Sequence, residues 1–93
     1  MTVGAFVSPG RSLERTLERV ELADRLGYEA IFTTHIAGFD SLTVLMAYAT
    51  RSQRARLGTG VLPIYSRTPV ACAQQAATVD AFSGGRLVLG LGV

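Results

Sequence analysis

Four short runs of strand-forming apolar residues alternate with three stretches of helical periodicity, and this alternation restricts the fold more than any other feature of the chain. The runs are residues 2–8, 29–33, 56–61 and 86–93. They are apolar throughout rather than at every second position, as expected of strands buried on both faces. The helical stretches run over 13–26, from a cap at Asp40 or Ser41 to about 51–54, and over 69–82. Ser12 stands as N-cap to the first, with Leu13, Leu17 and Val20 on one stripe and Glu21 and Arg25 spaced for an i,i+4 pair. Gly27 sits where a left-handed residue ends a helix. Leu42, Leu45, Met46 and Ala49 repeat at helical spacing in the second stretch. Thr68-Pro69 opens the third, because proline suits the first helical position, and Ser83-Gly84-Gly85 closes it.

The resulting order is βαβαβαβ, the pattern of a parallel sheet covered by helices. Two architectures satisfy it, half of a (β/α)8 barrel or the first half of a doubly wound open sheet. A complete barrel takes roughly 250 residues. The expectation is therefore that residues 1–93 are an amino-terminal fragment holding strands 1–4 and helices 1–3. A four-stranded piece leaves two sheet edges open, which favours self-association.

Composition narrows the function classes. No apolar run reaches the ~18 residues of a membrane span, and no secretory leader is visible. Cys72 is the only cysteine, so an internal disulfide is impossible and a reducing cytoplasm is expected. The nine basic residues are all arginine, scattered and largely interrupted by the seven acids. Nucleic acid is not an expected partner. His35 is the only histidine and has no suitably spaced second ligand, so no metal site is expected.

In either architecture ligands bind at the carboxyl ends of the strands. The loops on that side are 8–11, 34–39 and 62–67, together with whatever follows Val93. His35 stands at the end of the second strand, where an imidazole serves as donor to a ligand or as acid and base, or caps a backbone carbonyl. Tyr65 and Arg67 either line a pocket or are exposed loop residues, and Cys72 reads as a small core residue. Ser83-Gly84-Gly85-Arg86 has the composition of a phosphate cradle. It precedes a strand, however, whereas a phosphate loop follows one, so it reads as a helix stop and turn. Gly90-Leu91-Gly92 follows an apolar strand and matches the start of a dinucleotide fingerprint, without its third glycine.

Four blocks carry a family resemblance: ADRLGYEAIFTTH (23–35), LGTGVLPIYSRTP (57–69), AQQAATVD (73–80) and SGGRLVLGLGV (83–93). Together they resemble the bacterial luciferase-like monooxygenase superfamily over nearly the whole chain. The resemblance implies a (β/α)8 TIM barrel with flavin-type redox chemistry at its carboxyl end, using the deazaflavin coenzyme F420 for hydride transfer or, alternatively, FMN with oxygen. It implies a non-prolyl cis peptide at Gly60-Val61, supporting the back face of the ring. Thr59, Gly60, Val61 and His35 become the candidate cofactor-binding residues, with His35 also the candidate catalytic residue. Thr34 stands where family members often carry an acid. The implied partner is a small-molecule substrate, with homo-oligomeric assembly. From a different class, a non-catalytic half-barrel that associates with itself or a partner also fits.

Overall fold

The computed structural model describes residues 3–35 and 38–93. The expected strand start at Thr2, and Ile36 and Ala37 in the loop after the second strand, lie outside them. In chain order the elements are β1 (Gly4–Phe6), α1 (Leu13–Arg25), β2 (Ala30–Thr33), α2 (Ser41–Thr50), β3 (Arg56–Thr59), β4 (Leu62–Pro63), a 3-10 turn (Ile64–Ser66), α3 (Pro69–Phe82), β5 (Leu87–Val88) and β6 (Leu91–Gly92). Strands β1, β2, β3 and β5 form one parallel sheet in that spatial order. Strands β4 and β6 form a separate parallel pair.

Local chemistry sets the helix ends. Ser12 accepts from the Arg15 N–H and caps α1, and Gly27 follows at φ 88°. Asp40, not Ser41, caps α2, and Thr68 caps α3 with Pro69 at its first position. The core lies between the helices and one sheet face, where Ile31 and Leu57 meet Val20, Leu42, Leu45, Tyr48 and Val79. Tyr48 is buried because its hydroxyl donates to the Val7 carbonyl (2.7 Å). On α1 the buried positions are Thr16, Val20 and Ala23, while Leu13 of the expected stripe is exposed. Glu21 is taken by Arg51 (3.0 Å) rather than by Arg25, because the guanidinium of Arg51 also reaches Glu14 (2.8 Å).

The opposite sheet face is uncovered among the described residues. Phe6, Phe32, Gly58 and Val88 stand in one row across the four strands, and side chains in such a row share a face. The Phe6 and Phe32 rings lie 5.6 Å apart. A Cβ on Gly58 would come within 2.5 Å of the Phe32 ring, so glycine is what lets that ring lie across β3. The expected burial of the first strand on both faces is corrected here, since Phe6 is 67% exposed. The physical reason is that β1 is an edge strand whose outward face meets no second layer among the described residues.

The third and fourth strands are also shorter than expected. β3 stops at Thr59, the Gly60–Val61 peptide is cis as the resemblance implies, and extended chain resumes as β4. The Thr59 hydroxyl competes with the backbone ladder. It donates to the Gly90 carbonyl and accepts from the Gly90 N–H, both at 2.8 Å, which separates β5 from β6. A Cβ on Gly90 would collide with the Thr59 carbonyl, so the close approach requires glycine.

The amino ends of the strands are tied together for stability. Both carboxylate oxygens of Asp24 accept backbone N–H groups of Gln53, Arg54 and Ala55 (2.8–3.0 Å). Burial alone would raise the Asp24 pKa, and these donors outweigh it and hold the carboxyl below its usual range. Gly84 (φ 72°) and Gly85 (φ 79°) turn the chain out of α3. Arg86 then donates to the carbonyls of Ala49, Ser52, Ala55 and Ser83 and to the Ser52 hydroxyl. Every donor direction of this guanidinium goes to the protein, so the turn is a structural clasp and not a phosphate cradle.

Candidate functional site

The carboxyl ends of the strands are joined side by side by short polar contacts. The Ser8 and Thr34 hydroxyls meet at 3.1 Å, linking the ends of β1 and β2. The Gly60 N–H donates to the Thr33 carbonyl at 2.9 Å, linking β2 to the turn after β3. The Leu62 N–H donates to the Gly90 carbonyl at 2.7 Å, carrying the chain of contacts to β6. Of the expected site residues, Thr59, Gly60 and Val61 therefore share one end of the sheet, and His35 lies two residues beyond the strand position that receives Gly60.

The four residues present different groups. Thr59 is buried (2% exposed) with its hydroxyl engaged by Gly90, so its side chain holds the segment. Gly60 has no side chain, and Val61 is exposed. His35 accepts from the Ser41 N–H through Nδ1 at 3.1 Å, and the Ser41 hydroxyl also lies 3.1 Å away. A backbone N–H can only donate. Hydrogen bonding therefore assigns the neutral tautomer with Nδ1 bare and the proton on Nε2. Nε2 has no hydrogen-bond partner among the described residues.

Behind His35 lies an ion pair that sequence reasoning did not find. Asp40 Oδ2 accepts from the Thr43 N–H (3.0 Å) and hydroxyl (2.6 Å), while Oδ1 receives Arg67 Nη2. Arg67 also reaches Gln75 Oε1 (2.6 Å) and Ser66 Oγ (3.1 Å), and its side chain is largely buried. Burial would raise the Asp40 pKa, but Arg67 and the two Thr43 donors lower it to about 2. The available signal was that a capping aspartate spends only one oxygen on its helix, leaving the other to find a cation. Tyr65, by contrast, is 82% exposed.

A groove of about 410 Å³ runs between α2 and α3, lined by Asp40, Leu42, Thr43, Met46, Gln74, Gln75, Thr78 and Val79. None of the expected site residues lines it, but it reaches the His35 cluster through Asp40, whose Oδ1 lies 3.8 Å from His35 Nδ1. No cluster of three metal-ligating side chains occurs among the described residues, and none of the described helices is long and apolar enough to cross a membrane.

The model of the luciferase-like monooxygenase family matches residues 1–93. The chain belongs to that family. A Mycobacterium tuberculosis protein provisionally named a coenzyme F420-dependent oxidoreductase is 46% identical over 76 residues, covering 82% of this chain and 22% of that protein. The 4-hydroxyprotoasukamycin monooxygenase of Streptomyces nodosus subsp. asukaensis is 36% identical over 99% of this chain and 29% of its own length. The solved coenzyme F420-dependent tetrahydromethanopterin reductase of Methanopyrus kandleri superposes with a TM-score of 0.89 at 27% identity, over 98% of this chain and 26% of that one. The chain thus spans less than a third of the relatives it matches. Its fold is that of part of a luciferase-like TIM barrel. Family membership replaces the doubly wound alternative, and with it the dinucleotide reading of Gly90-Leu91-Gly92, whose glycines lie against Thr59 and Val61.

Proposed function

We propose that this chain contributes the amino-terminal strands of an F420-dependent oxidoreductase that transfers hydride to or from a small molecule. The observation that carries the reading is the 46% identity to the relative named for coenzyme F420. The residues fit a flat ring. Gly60 carries no Cβ, where one would press on the Phe6 ring at 3.0 Å, and Val61 is exposed. His35 at the same end of the sheet has an Nε2–H with no partner among the described residues. When bound, the deazaflavin supplies a hydride donor or acceptor. In this reading Gly60 and Val61 support the ring, Thr59 anchors that support to Gly90, and the proton on His35 Nε2 is donated to the ring edge or to the substrate. The protein works in the cytoplasm as a homo-oligomer. The 93-residue segment alone is inactive, because the Phe6–Phe32 face and both sheet edges are open among the described residues.

The monooxygenase relative favours a second reading, the same site holding FMN in a two-component monooxygenase. The bare aromatic face likewise favours a half-barrel that only associates. Fluorescence titration of the complete protein separates the three. Coenzyme F420 should bind at micromolar concentration or tighter, with FMN at least about tenfold weaker, a difference of about 1.4 kcal/mol. Tighter FMN binding would select the monooxygenase, and binding of neither would select the association module.

A further inference from the structure

The Asp40–Arg67 pair stands directly behind His35, and its geometry bears on which proton that histidine carries. Asp40 Oδ1 is 3.8 Å from His35 Nδ1, too far for a hydrogen bond but close enough to attract a proton there. The same oxygen is held by Arg67 Nη2, while Arg67 Nη1 donates to Gln75 on α3 and Nε to Ser66. Among the described residues, Asp40 at the start of α2 is the charged group that faces His35 within 4 Å, and Arg67 from the loop before α3 is held on that same Asp40 oxygen.

We propose that Arg67 is a positioning residue for His35. By engaging Asp40 Oδ1 it keeps the carboxylate from drawing a proton onto Nδ1. Nδ1 stays free to accept the Ser41 N–H, and His35 presents a neutral imidazole with its proton on Nε2. Without Arg67, the carboxylate becomes an unpaired acceptor beside Nδ1, and the imidazolium pairs with it. The Ser41 N–H then loses its acceptor, and the ring shifts. The functional meaning rests on the reading of His35 as the donor at the site, but the proton's position is measurable without cofactor, substrate or turnover.

The test is nitrogen-15 NMR of the complete protein labelled at histidine, with the His35 signals identified by their loss in His35→Gln. The wild type should show one bare nitrogen at Nδ1 and one protonated nitrogen at Nε2. In Arg67→Met, the imidazolium-to-imidazole ratio at a given pH should rise about tenfold, the size expected of an opposite charge released at this range. Arg67→Lys should restore most of the wild-type ratio. Arg67→Met combined with Asp40→Asn should return to it, because asparagine keeps the helix cap and removes the charge. If Arg67→Met does not fold, Arg67→Gln should move the ratio in the same direction. An unchanged ratio in a folded Arg67→Met or Arg67→Gln protein would overturn the proposal. So would a shift that persists in the double variant. Failure of cofactor binding with the ratio behaving as stated would instead count against the functional reading alone.

Discussion

Replacing Arg86 by methionine is expected to lower the stability of the complete protein by about 3–4 kcal/mol, with no direct effect on cofactor contacts. The residue immediately precedes β5 at the amino end of the sheet. Its guanidinium gathers carbonyls from the end of α2, the turn before β3 and the end of α3. Hydrogen bonds to a charged group contribute about 1.5–3 kcal/mol each. Their sum overstates the loss, since water and small rearrangements recover part of it. Methionine fills similar volume but leaves these carbonyls without donors. Arg86→Lys should recover only a fraction, because an ammonium cannot reach four carbonyls in a planar fork. Denaturant unfolding checks the pair of variants. A loss below about 1 kcal/mol in Arg86→Met would mean that the clasp is incidental to the fold.

His35→Asn is expected to lower turnover about 100- to 1,000-fold while leaving the fold intact. The substitution is chosen for its atoms. The asparagine Oδ1 can replace Nδ1 as acceptor for the Ser41 N–H, so the first turn of α2 keeps its contact. What is lost is the Nε2–H, which has no partner among the described residues. His35→Ala removes both functions and should cost similar activity with additional stability, about 1 kcal/mol for an uncapped helix N–H. Steady-state kinetics beside thermal unfolding distinguishes the two roles. Near-wild-type turnover in His35→Asn would reduce His35 to a cap for α2.

What was legible in the sequence is what short-range chemistry decides. The strands declared themselves by being apolar at consecutive positions, and the caps at Ser12 and Thr68 by side-chain oxygens just ahead of periodic apolar residues. The structural role of Ser83-Gly84-Gly85 followed from its place before a strand. Features set by distant partners stayed hidden. Arg86 meets acceptors about thirty residues or more away on α2 and the turn before β3, and Arg67 meets Asp40 across 27 positions. The break after Thr59 depends on a hydroxyl finding Gly90, which composition does not announce. The exposure of Phe6 was missed for a different reason. Consecutive apolar residues do not distinguish a strand buried on both faces from the edge strand β1, whose outward face meets no second layer among the described residues. At the site, position on the strand ends picked out His35, but its tautomer required the Ser41 contact.

The most direct test is a crystal structure of the complete protein with coenzyme F420 bound. The deazaflavin ring should lie at the carboxyl ends of the strands, with one face against Gly60 and Val61 and its edge within about 3 Å of His35 Nε2. A ring bound elsewhere, such as the groove between α2 and α3, or one that leaves His35 Nε2 out of hydrogen-bond reach, would contradict the account.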